Sequence, residues 1–138
     1  MRYKALSLWQ PWASLIALGA KQYETRSWST NYRGELVIHA AKRFARAEQA
    51  LCATRPFIDW LVDGDIMSVK DMPLGVCLCV VELVDVVHTE VIAPSLSQQE
   101  LAFGDYTPGR YAWKLEVVRV FDEPIPARGY QGLWMVEL

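Results

Sequence analysis

The chain has 138 residues, of which 52% are hydrophobic and 22% charged, and carries a formal net charge of -2 at pH 7. A chain of this length forms one domain over residues 1–138, and folding buries roughly two thirds of the surface its unfolded form exposes, which excludes a disordered class. The acidic balance argues against a domain that grips long nucleic acid mainly through phosphates, because that mode needs a basic stripe.

In chain order, Ala5 to Leu8 reads as a short strand. Pro11 then opens a helix with Trp12, Leu15, Ile16 and Gly19 at the i, i+3, i+4, i+7 spacing of one face, and Gly19 ends it as a left-handed cap. Tyr23 to Trp28 is strand-like, Asn31 to Gly34 a turn, and Glu35 to Ala40 a second strand. Residues 45–61 are helical with a break at Pro56. Gly75 to Val87 is the strongest strand pattern, apolar on both faces and so buried on both sides. Ser97 followed by Glu100 fits a capping box that opens a helix over Gln98 to Phe103. Thr107 to Gly109 is a turn, Tyr111 to Phe121 a long strand, Pro124 to Pro126 an irregular crossing, and Leu133 to Leu138 a closing strand. Strands and short helices in this irregular order predict an α+β, mainly β fold, a small barrel of five to six strands with short flanking helices.

The three cysteines, Cys52, Cys77 and Cys79, have no paired CxxC spacing, so neither a disulfide framework nor a zinc site is expected. Cys77 and Cys79, two apart in a strand, are expected on one buried face. His39 and His88 belong to no metal-ligand pattern, and no metal or other cofactor is expected. No apolar run approaches the ~18 residues of a membrane span and the start is no signal peptide, so the expected location is cytoplasmic.

The chemistry concentrates in Gly19 to Trp28, where Lys21, Glu24 and Arg26 stand among apolar and aromatic residues at a change of element. A buried lysine loses hydration and with it basicity, which suits it to proton transfer or to stabilising a developing negative charge. Glu24 and Arg26 share a strand face, whereas Lys21 meets Glu24 only if the chain turns after Gly19. Glu82, a carboxylate in an apolar strand, needs a partner such as Lys21 or Arg26 unless it marks where the strand leaves the core. Trp9, Trp12, Tyr23 and Trp28 bracket the motif as stacking surfaces for a planar ligand, with core packing the plain alternative. Lys42, Arg43 and Arg46 form a local basic patch, or simply a solvated helix start.

Gly19, Lys21, Glu24 and Arg26 spell GxKxxExR, the signature of the ASCH domain, a branch of the PUA-like superfamily of small β-barrels, and the chain resembles that family over nearly its whole length. The likeness extends through Ser7 to Trp12, Tyr32 to His39, Gly109 to Trp113 and Gly129 to Trp134. The resemblance implies RNA or nucleotide recognition in a cleft beside the motif. Some small bacterial members are amidohydrolases of N4-acetylcytidine and related nucleosides, and others resemble ribonucleases or coactivator modules. In the amidohydrolase branch a threonine stands where this chain has Glu24, so the nucleophile does not carry over. The leading expectation is metal-independent hydrolysis of an N4-acylated cytosine nucleoside. Lys21 would polarise or transfer a proton, Glu24 or Glu82 would activate water, and Arg26, Tyr23 and the tryptophans would hold the substrate. The rivals are an RNA-binding module that uses Lys21, Arg26, Lys42, Arg43 and Arg46 on phosphates, and a metal-independent ribonuclease.

Overall fold

Alternating apolar side chains lay down six strands of one sheet: β1 (Arg2–Leu8), β2 (Tyr23–Arg26), β3 (Gly34–Ala40), β4 (Val76–His88), β5 (Tyr111–Pro126) and β6 (Leu133–Glu137). The computed structural model describes residues 1–138. Between the strands lie five short helices, α1 (Trp12–Ala17), α2 (Arg46–Leu51), α3 (Phe57–Asp63), α4 (Thr89–Ile92) and α5 (Gln98–Ala102). The strand order is β2-β5-β4-β3-β1-β6, with β1 and β3 parallel and every other pair antiparallel. This is the expected α+β, mainly β architecture. The ladder does not close, since β2 and β6 remain as edges. Side chains of β2 and of the segment entering β6 nevertheless line one cleft, so the sheet curls like a barrel and brings its two edges together.

The alternation sorts β1 and β3 onto two cores. Leu6, Leu8, Leu36 and Ile38 face a cluster with Ala13 and Ile16 of α1 and the fully buried Trp113, while Ala5 and Val37 face Trp134 and Val136. A third cluster joins Leu15 and Ala20 to Phe57, Leu61, Met72 and Phe103. The expected single apolar face of α1 is therefore split: Ile16 packs on the sheet, Leu15 on the helices, and half-buried Trp12 reaches the cleft.

Three sequence expectations need correction. Bulges in the β4–β5 ladder break strict alternation, so Cys77 and Cys79 enter different clusters rather than one face. Burial on both sides of β4 ends at Leu83, after which Val84 and Asp85 are exposed. Pro124 to Pro126 continue β5, with Pro126 opposite Val76. Beyond Lys114, β5 has no partner on its β2 side, where a missing N–H breaks no ladder.

Candidate functional site

The site begins with the end of a helix. Gly19, at φ +79, lets Ala20 N–H reach Leu15 O and Gly19 N–H reach Ile16 O, a Schellman closure that reverses the chain. That turn carries Lys21 inward, where its side chain is fully buried. Nζ donates to Phe103 O at 2.6 Å and lies 3.6 Å from Glu24 Oε1. Burial pulls the Lys21 pKa below the usual lysine value, and Glu24 and Glu100 oppose that fall. The other Glu24 oxygen lies 3.5 Å from Arg26 Nη1, so one carboxylate links a buried ammonium to a guanidinium at the cleft.

Helix α5 locks this arrangement from the other side. Ser97 Oγ caps the helix by accepting from Glu100 N–H at 3.1 Å, which is half of the expected capping box. The Glu100 carboxylate does not turn back to the cap; it accepts from Gln22 N–H at 3.0 Å and Tyr23 N–H at 3.3 Å. Beyond α5, Asp105 N–H donates to Thr25 Oγ1 and Arg110 to Thr25 O, which seals the segment onto β2. Tyr106 packs here with its hydroxyl buried and unpartnered, and burial, Glu100, Tyr23 and Glu24 all raise its pKa.

A cleft of ≈ 1200 Å³ opens beside these groups. Trp9, Trp12, Glu24, Arg26, Trp28 and Lys42 line it, while Lys21 and Tyr23 stand buried behind its wall. Guanidinium groups lie over aromatic rings around it: Arg43 over Trp9 at 3.7 Å, Arg26 over Trp28 at 5.5 Å and Arg128 over Tyr130 at 5.3 Å. Arg43 also pairs with buried Glu48. Arg46 opens α2 as an exposed side chain and does not line the cleft.

Glu82 is not part of this assembly. It sits on β4 between Glu35 and Glu116 in register, with Oε2 buried and unpartnered, and its charge helps raise the pKa of Tyr32. Its expected pairing with Lys21 or Arg26 is not formed, because both cations turn to Glu24.

Sequence reasoning passed over Ser7, His39, Thr25, Arg110 and the segment Arg128 to Gly132, all of which line the cleft. Ser7, His39, Arg110 and Gly129 to Gly132 fall inside the segments that carry the family likeness, which was the signal available; in the fold Gly129 packs so closely that a Cβ there would lie 2.6 Å from both Ser7 Oγ and His39 Cε1. No group of three or more His, Cys, Asp or Glu side chains is placed to hold a metal ion. No helix is long and apolar enough to cross a membrane.

Comparison with known proteins places the chain in a family. Activating signal cointegrator 1 from Homo sapiens and from Mus musculus are each 34% identical to the chain over 97 residues, covering 68% of it but 16% of their own length. The fold resembles crystal structures of two mutant forms of ZmASCH from Zymomonas mobilis. One has a TM-score of 0.56 at 18% identity, covering 97% of this chain and 87% of that one; the other has 0.51 at 19% identity, covering 89% and 74%. The ASCH domain model matches residues 6–125, and the chain belongs to the ASCH domain family.

Proposed function

We propose that the cleft binds an unpaired nucleotide of RNA, with the base stacked on a rim tryptophan and the phosphates met by arginine. The observation that carries this reading is the set of guanidinium–aromatic pairs around the cleft, Arg43 on Trp9, Arg26 on Trp28 and Arg128 on Tyr130. Each pair offers a flat face to a base and a fixed positive charge to a phosphate, the combination that single-stranded nucleic acid requires. Trp9 is 49% exposed, so a face of its indole is open to a ligand. Lys42 adds a further charge on the wall, and the patch is local, in keeping with a short contact rather than a long track.

The reading is tested by titrating short fluorescent RNA oligonucleotides across salt. Base–aromatic stacking is worth about 1–3 kcal/mol, so Trp9→Ala is expected to weaken binding about 5- to 150-fold without loss of fold. Arg128→Ala is expected to lower the salt slope by about one unit. Equal affinities for wild type and Trp9→Ala would remove the stacking role.

A second reading is hydrolysis of the amide of an N4-acylated cytosine nucleoside, favoured by the Glu24 carboxylate on the cleft wall. Glu24 stands on the cleft wall with Lys21 behind it and Arg26 beside it, placed to activate water or orient a polar substrate group. Glu82 has no part in it. Release of cytidine from N4-acetylcytidine, lost in Glu24→Gln, supports this reading, and absence of turnover with intact RNA binding leaves recognition alone.

A further inference from the structure

Ser7 of β1 and His39 of β3 face one another across the parallel ladder, and both line the cleft three ladders or more from Glu24 on β2. Neither has a role in the function proposed above. His39 Nε2 lies 2.7 Å from Ala127 O. A carbonyl only accepts, so Nε2 carries the ring proton and Nδ1 presents a lone pair. That lone pair is 2.9 Å from Ser7 Oγ. Trp134 Nε1–H donates to the same oxygen at 3.1 Å, so the Ser7 proton points at Nδ1. Burial lowers the His39 pKa, which keeps the ring neutral and able to accept.

This arrangement contains the elements of an activated hydroxyl: a nucleophile bonded to a base, with the base oriented by a third group, here a backbone carbonyl. We propose that Ser7 is a nucleophile and His39 its general base, for acyl transfer from a carboxylic ester or amide held in the cleft.

In the first half-reaction the Ser7 Oγ–carbonyl carbon bond forms as the hydroxyl proton passes to Nδ1. The bond from carbon to the leaving oxygen or nitrogen then breaks, and the leaving group takes that proton. Water attacks the resulting ester, gives a proton to Nδ1, and releases the acid as Ser7 recovers its hydrogen. The backbone N–H groups that would meet the oxyanion are those of Arg128 to Gly132, which donate in none of the turn and loop backbone hydrogen bonds and belong to a segment that lies against Ser7 through Gly129. The nucleophile and base are not among the rim residues, so labelling of Ser7 is read independently of RNA binding, although the segment Arg128 to Gly132 borders both.

The test is a fluorophosphonate probe with peptide mapping by mass spectrometry. Ser7 Oγ attacks phosphorus, fluoride leaves, and the serine proton passes through His39 to solvent. Wild type is expected to carry the phosphonyl adduct on Ser7, Ser7→Ala to lose it, and His39→Gln to label about 10²-fold more slowly with its circular dichroism unchanged. Glu82→Gln, remote from the cleft, is expected to label at the wild-type rate. Wild type with no adduct on Ser7 at millimolar probe, or equally fast labelling of His39→Gln, would overturn the proposal. The wild-type adduct map decides the point even if Ser7→Ala fails to fold.

Discussion

The two ends of the cleft are built from different chemistry. At the β2 end, charges are buried: Lys21 donates to Phe103 O, Glu24 stands between Lys21 and Arg26, and Glu100 holds two backbone N–H groups. At the β1–β3 end the groups are neutral dipoles, in which Trp134 donates to Ser7, Ser7 to His39 and His39 to Ala127. Removing one partner of a buried ion pair costs about 3–5 kcal/mol, because it strands the other charge, whereas breaking one link in a neutral buried chain costs about 1–3 kcal/mol. The charged end is therefore a clamp joining β2 to α5, and the neutral end is free to exchange a proton. Through these contacts the signature lysine and glutamate tie β2 to the end of α5.

The largest expected effect breaks the clamp. Lys21→Met leaves Phe103 O without its donor and Glu24 without its inner partner, at a cost of about 3–5 kcal/mol. For a chain of this size that lowers Tm by on the order of 10 °C, which differential scanning calorimetry reads directly. Glu100→Ala comes next, because Gln22 N–H and Tyr23 N–H lose a charged acceptor; about 1.5–3 kcal/mol is expected in urea denaturation. If both variants were as stable as wild type, the clamp would be no clamp.

How much of this was legible in the sequence follows from the range of each interaction. Gly19, Lys21, Glu24 and Arg26 lie within one helix end and one strand, so the sequence showed that Lys21 could meet Glu24 if the chain turned after Gly19, but the turn itself came only with the fold. The Ser97–Glu100 cap was equally local, yet the use of the Glu100 carboxylate was not, since it binds residues more than seventy positions earlier. Glu82 misled because periodicity places a residue on a face without saying what stands opposite. The register puts Glu35 and Glu116 beside it, and the motif's cations are already engaged. Cys77 and Cys79 parted company through a bulge that alternation cannot foresee. Ser7 and His39 meet through a parallel ladder whose pairing depends on the crossover through α1 and β2, and nothing in either residue's neighbourhood announces it. The six strands were visible in the alternation; their curl, which brings both sheet edges to one cleft, was not.

The neutral end has a milder, pH-dependent signature. Burial sets the folded pKa of His39 below its ordinary 6.5, with the carbonyl of Ala127 the opposing influence and no charged side chain contributing. Between that lowered value and 6.5 the unfolded chain binds the extra proton, so this contribution is fully present above 6.5 and is lost as pH falls through the window. Urea titrations at pH 7.5 and pH 5.0 are expected to show a larger loss for wild type than for His39→Gln. An equal loss would mean that His39 takes up its proton equally in the folded and unfolded chain, and the lowered pKa would be wrong.

The smallest expected effect has the opposite sign. Glu82 presents an unpartnered, buried carboxylate oxygen with Glu35 and Glu116 directly across the ladder on either side. Like charges opposed across strands cost about 0.2–1 kcal/mol, so Glu82→Gln is expected to stabilise the chain by that amount, read as a rise in the urea midpoint with the slope unchanged. RNA affinity should stay at the wild-type value, because Glu82 reaches neither the cleft nor its cations. The contrast with Glu24 is the informative part: the same side chain, taken from one sheet to amide, is favourable to remove on β4 and unfavourable on β2. A carboxylate in this fold is worth what stands within 4 Å of it, and on β2 those neighbours are Lys21 and Arg26.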